Sequence, residues 1–398
     1  MLIEFRVQNF LSFKELQTFT LLKSKNRERS ENTFVITGEK EFSLLKSAAV
    51  YGPNSSGKSN FLKALLAMKN TVIKSRQRGE LLPLTPFMLD EDTAGQPTEF
   101  EVSFIVDTVR YQYGFSASSR QIFDEWLFAF PAGRPQKWFE RVWDDESGKH
   151  LWKFSQFLSG AKKLWQQSTR DNALFLSTAV QLNSEQMKPV FDWFSQTLRF
   201  VGTEGLSSDS TARFCIGEGK ERVLKFLKAA DFNIEDIRVE EKQLPAENAF
   251  EISTVHIGKS GKPVLFNFKN ESSGTQKFFS FAEPILDVLA KGAVLCIDEL
   301  NINLHPKLVQ FLVELFHDQK SNPKNAQLIF TTHETTILTQ DIFRRDQVWF
   351  CDKNREQASE LYPLSDFCPK KGKENLELGY LSGRYGALPL VRSFSEVQ

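Results

Sequence analysis

Apolar and polar positions alternate along residues 2–7 with the period of two that a half-buried strand requires. The alternation returns at 99–106, 109–115, 125–130 and 138–142, which predicts an antiparallel subsheet, and strand character appears again at 250–257 and 264–268. Other runs, at 48–51, 293–297, 327–331 and 347–351, are almost continuously apolar, as strands covered on both faces of a parallel sheet are. Helical spacing marks Met187, Val190, Phe191, Phe194 and Leu198, then Val223, Phe226, Leu227 and Ala230, so the stretch 154–231 reads as helical. Helices are also predicted over 60–68 and from Phe278 to Leu289, where Pro284 predicts a kink or an early break. No heptad array is sustained, which speaks against a long coiled-coil arm. Residues 23–43 are polar and read as a loop.

These elements make an α/β chain in three parts: 1–150 with the antiparallel subsheet, 151–240 as a helical insertion, and 241–398 returning to the parallel sheet. A length of 398 residues with 41% hydrophobic and 25% charged residues allows two or three lobes with ample core. The 37 phenylalanines are spread over the whole chain, a pattern of core packing. Zero formal net charge disfavours a constitutive nucleic-acid binder held by its overall field. The basic clusters Lys23, Lys25, Arg27, Arg29 and Lys74, Arg76, Arg78 read as solvated faces, so nucleic acid is possible but not indicated. Cys215, Cys296, Cys351 and Cys368 form no C-x-x-C pair, which indicates neither zinc nor a disulfide framework. No run approaches the ~18–20 apolar residues of a membrane span, and a cytoplasmic protein with no membrane partner is expected.

The first apolar run leads into Gly52-Pro53-Asn54-Ser55-Ser56-Gly57-Lys58-Ser59, the G-x-x-x-x-G-K-S pattern, and then into a helix beginning near Asn60. Glycines there let backbone N–H groups turn around phosphate oxygens at a helix N-terminus. Lys58 is placed to reach β- and γ-phosphates, and the Ser59 hydroxyl to ligate Mg²⁺. ATP with Mg²⁺ is therefore the expected cofactor. A second apolar run, 294–297, ends in Asp298-Glu299, a Walker B pattern. Asp298 would hold the metal's water shell, and Glu299 would polarise the attacking water.

Asp298 follows Lys58 by 240 residues, a separation that resembles ATPases of the ABC/SMC type with their long insertion between Walker A and Walker B. That resemblance implies an ABC-type P-loop ATPase head with a mixed central sheet, an antiparallel β subdomain and an inserted helical subdomain. It further implies a signature motif one helix before Walker B, where Glu271-Ser272-Ser273-Gly274-Thr275-Gln276 stands, Ser273 and Gly274 capping ATP on a second copy of the chain. A plain serine N-cap is the alternative reading. A switch histidine is also implied, and His333 ends the strand-like run 328–332, 34 residues after Glu299. Between them Asn303 or His305 occupies the D-loop position, although His305 before Pro306 serves equally as a helix start. Gln112, Gln121 and Gln136 are undiscriminated candidates for the Q-loop.

With the opening segment 3–10, Pro86-Phe87, 111–115, 344–350 and 383–387, the chain resembles the RecF-like branch, and more closely the bacterial AAA family ATPases of abortive-infection and phage-defence loci, relatives of OLD-type and PARIS-type systems. OLD-type proteins continue into a TOPRIM nuclease, whereas 65 residues follow His333 here without a clustered acidic metal pattern. The resemblance therefore implies an ATP-hydrolysing dimeric switch that controls an effector encoded nearby. A DNA-repair ATPase is the alternative, and a self-contained RNA-cleaving toxin is the third reading.

Overall fold

The computed structural model describes the chain except for residues 38–40, 75–78, 203–205, 242–249, 371, 373 and 390–398. Arg76 and Arg78 of the second basic cluster lie outside the described residues. The apolar runs form the centre of a six-stranded sheet, in the order Leu198–Val201, Val294–Ile297, Gln327–Thr331, Ser47–Tyr51, Val348–Lys353, Ser359–Pro363. The first five strands are parallel and the last is antiparallel, so the central sheet is mixed. A seven-stranded antiparallel sheet runs from Lys149–Phe154 through the alternating strands to Leu2–Gln8 and Gln17–Thr20. Smaller antiparallel sheets join Asp236–Glu241, Phe250–Ile257 and Pro263–Asn267, and pair Thr33–Ile36 with Phe42–Leu45. The fold is the α/β class expected.

The central strands bury both faces because successive side chains point to opposite sides. Ala48 and Val50 face one hydrophobic cluster, while Ala49 and Tyr51 face another. The first cluster fills the space between the antiparallel sheet and the helix Lys58–Ile73, where the ring of Phe61 meets Phe5 and Phe19 at 6.2 and 4.8 Å. The second packs the helix Ser273–Lys291 and the helix Pro306–His317 on the opposite face.

Several sequence expectations change. Pro284 neither breaks nor ends its helix, which continues to Lys291 and stops at Gly292 in a left-handed conformation. The region 23–43, read as a loop, contains the strand Thr33–Ile36 and the start of Phe42–Leu45. The stretch 154–231 is helical only in pieces, since Leu198–Val201 leaves it to pair with the strand Val294–Ile297. Its first half is anchored by Glu125, whose buried carboxylate accepts the N–H groups of Phe175 and Leu176 at 2.6 and 3.0 Å, at the start of the helix Phe175–Gln181. Tyr113 donates to the same carboxylate, and Arg141 lies 3.5 Å away. Burial raises the Glu125 pKa, with Arg141 opposing. Among the described residues no helix is long and apolar enough to cross a membrane.

Candidate nucleotide site

The turn after Ser47–Tyr51 is shaped by two glycines with no room for a side chain. A Cβ on Gly52 would stand 2.2 Å from the carbonyl oxygen of Cys351, and one on Gly57 would stand 2.2 Å from the hydroxyl of Ser359. Gly57 also has φ +112°, and it caps the helix Lys58–Ile73. The loop curls around its own lysine: Lys58 Nζ donates to the carbonyls of Gly52 and Pro53 at 2.9 and 2.8 Å. Burial lowers the Lys58 pKa, while Cys351, Glu299 and Asp298 act against it.

Two strand ends bring the acidic groups to this loop. Ser59 Oγ donates to Asp298 Oδ1 at 3.1 Å, and Thr331 Oγ1 donates to the same oxygen at 2.6 Å. Thr331 Oγ1 also accepts the N–H of Glu299 at 2.7 Å, fixing the backbone where Glu299 takes a left-handed φ of 54°. Asn301 Oδ1 accepts from Thr332 Oγ1 and from the N–H of His333, at 3.0 and 3.3 Å. Burial is the main cause that lowers the His333 pKa; Lys58 adds to it and Asp298 opposes it. The ring is thereby held toward its neutral form.

One cleft of about 250 Å³ is lined by residues 54–60, Glu299 and His333, together with Ser12 and Lys353. The structure thus gathers Asn54, Ser55, Ser56, Gly57, Lys58, Ser59, Asn60, Glu299 and His333, with Gly52 and Pro53 holding the lysine and Asp298 bonded to Ser59. Ser273 and Gly274 do not line it. The cap of their helix is Ser272, whose Oγ accepts the N–H of Thr275 at 3.1 Å, which leaves Ser273 exposed at the first helical position. A Cβ on Gly274 would stand 3.2 Å from the carbonyl oxygen of Asn303, so the expected signature and D-loop positions are neighbours. His305 caps its helix through Nδ1, which accepts the N–H of Lys307 at 3.2 Å. None of Gln112, Gln121 and Gln136 lines the cleft.

Sequence reasoning missed Ser12, Lys353, Thr331 and Asn301 as parts of this site. The Ser12 hydroxyl accepts from Asn60 Nδ2 at 2.9 Å and from Ser359 Oγ at 2.7 Å. A hydroxyl beside one carboxylate is an all-oxygen donor set that suits Mg²⁺, which keeps several of its waters. Among the described residues no group of three or more His, Cys, Asp or Glu side chains could cage a metal by itself.

Of the solved structures that resemble the chain, three illustrate the likeness. They are the SMC head domain from Thermotoga maritima (12% identity, 91% of this chain and 98% of that one, TM-score 0.42), an SmcHead bound to the C-winged helix domain of ScpA (14%, 91% and 97%, 0.40), and an Smc head with an extended coiled coil bound to the C-terminal domain of ScpA derived from Pyrococcus furiosus (12%, 91% and 96%, 0.43). A comparison with curated proteins finds no match. A family model matches residues 47–339, a span that opens on the strand before the glycine loop and closes six residues after His333. The chain belongs to that family, described as "AAA domain, putative AbiEii toxin, Type IV TA system".

Proposed function

We propose that the chain is an ATP-binding and slowly ATP-hydrolysing dimeric switch that controls a partner effector, a nuclease or toxin, in antiphage defence. The observation that carries this reading is the convergence of the glycine loop, the Ser59–Asp298 hydrogen bond, Glu299 and His333 on one cleft. Lys58 would give up its two loop carbonyls for the β- and γ-phosphates. The N–H groups at the start of the helix Lys58–Ile73 face the same anion. Ser59 and Asp298 would hold Mg²⁺, which when bound offsets the charge that develops on the phosphate oxygens. Glu299 would orient the attacking water and accept its proton, and His333, which lines the same cleft, would face the γ-phosphate. Ser273 and Gly274, exposed or half-exposed and outside this cleft, would close the nucleotide of a second copy. Effector control rests on the family, whose description names a toxin of a toxin–antitoxin system.

The test is a pair of variants followed by nucleotide binding, hydrolysis and light scattering. Glu299→Gln should bind ATP, lose about 10²-fold or more in turnover, and accumulate as a dimer with ATP. Lys58→Ala should bind no ATP and stay in its nucleotide-free assembly state. Wild-type turnover in Glu299→Gln would refute the catalytic assignment, and an ATP-loaded monomer would refute the switch.

A further inference from the structure

A second concave surface lies away from the nucleotide cleft, where the helix Lys220–Ala229 meets the C-terminal half of Ser273–Lys291 and the helix Pro306–His317. It encloses about 420 Å³. Its floor is apolar, made by Phe226, Leu286, Leu289, Phe311 and Leu315. The rim is cationic, with Arg222, Lys225, Lys320 and Lys324, and no carboxylate lines the groove.

Neighbouring lysines show how unusual that rim is. Lys228 and Lys291, on the same helices, are neutralised by Glu235 at 2.9 Å and Asp287 at 2.6 Å. Lys225, Lys320 and Lys324 have no ion-pair partner among the described residues, and Arg222 donates only to the carbonyl of Leu286, at 3.1 Å. Asp318, the nearest acid in sequence to Lys320, accepts the N–H and the hydroxyl of Ser321, both at 3.0 Å, and feels the Lys320 charge without closing an ion pair with it. In a chain of zero net charge, four cations around an apolar hollow are a local excess that asks for a complementary occupant. A nucleic-acid backbone would match the charges but would leave the Leu and Phe floor without an apolar partner. A peptide helix satisfies both.

We propose that this groove docks an amphipathic acidic helix of a partner protein, with apolar side chains at i and i+3 or i+4 seated on the floor and Asp or Glu flanks meeting the rim. The occupant would lie on Leu286 and Leu289, part of the helix whose first turn carries Ser273 and Gly274. Calling that partner the effector rests on the proposed function; the docking chemistry does not.

The experiment pans a library of displayed 16-residue helical peptides against the full-length protein without nucleotide, so a failure of the ATP reading leaves its outcome untouched. Selected peptides should combine Leu or Phe at helical spacing with Asp or Glu flanks. Their binding should weaken at least tenfold with Lys225→Glu/Lys324→Glu, and again with Ala290→Trp, which fills the hollow. All of these positions are exposed, and both variants should keep the wild-type circular dichroism and ATP hydrolysis. Selected peptides without acidic bias, or binding unmoved by either variant, would overturn the proposal. So would full displacement by a 20-base-pair DNA duplex. A loss of self-association in Ala290→Trp without peptide would also overturn it, since a second copy would then be the occupant.

Discussion

At the scale of single residues, the site depends on side chains that hold other side chains. Thr331 is the clearest example, because one hydroxyl donates to Asp298 Oδ1 and accepts the Glu299 N–H. Thr331→Val keeps the shape and removes both bonds, leaving a carboxylate oxygen with Ser59 alone and a backbone N–H without its partner. The lost bond to the Asp298 carboxylate costs about 1.5–3 kcal/mol, and the backbone N–H left without a partner about 1–3 kcal/mol. Turnover should therefore fall well beyond tenfold while ATP affinity, set mainly by the loop and Lys58, changes little. Equal losses in both would show that Thr331 supports the loop and not the acidic pair. Much of the cleft is legible in sequence because a glycine loop and its lysine are contiguous. Thr331, Asn301, Ser12 and Lys353 are not, since their roles come from strand ends that meet only after the sheet has assembled.

At the scale of elements, burial on one face or two is what made the strands readable. The central strands needed continuous apolar runs and the antiparallel ones needed alternation, and both patterns are written locally. Thr33–Ile36 escaped because only Phe34 of its four residues is buried, and Leu198–Val201 because one leucine began a strand that followed a helical spacing. The joint between the helix Pro306–His317 and the strand Ser47–Tyr51 was equally invisible. There the buried His317 Nε2 lies 2.8 Å from the hydroxyl of Ser47 and 3.3 Å from the amide nitrogen of Gln347, a donor that requires a neutral ring acceptor. Burial, with Arg29 and Lys46 adding to it, lowers the His317 pKa to about 3. The unfolded chain, with an ordinary histidine pKa near ~6.5, binds the proton first, so this joint stabilises the fold above that value and loses its contribution as pH falls toward 3. His317→Gln cannot titrate, so its melting temperature should decline less than that of the wild type between pH 7 and pH 5. Parallel declines would show that His317 is already protonated in the folded protein or is solvated there.

At the scale of the molecule, the two hydrophobic clusters share a wall. Val294 and Cys296 face the first cluster, and Leu295 and Ile297 the second; Trp349 and Cys351 alternate in the same way with Val348 and Phe350. Stripping either cluster from the sheet would expose a row of apolar side chains that the other cannot cover, which couples the two halves. The tryptophans make that coupling measurable. Six of the seven stand between Trp126 and Trp193, in the antiparallel sheet and the helices on it, and Trp349 belongs to the first cluster as well. Phe279, by contrast, is fully buried in the second cluster, its ring 4.8 Å from Phe268. Phe279→Ala should cost about 3–5 kcal/mol. If the shared sheet makes one cooperative unit, denaturant unfolding followed by tryptophan fluorescence will shift to lower denaturant as far as unfolding followed by circular dichroism, although no tryptophan touches the substitution. A fluorescence midpoint that stays in place while the dichroism transition splits would mean that the halves unfold independently, and that a ligand held at the start of the helix Lys58–Ile73 could not hold the helix Ser273–Lys291 rigid through the sheet alone.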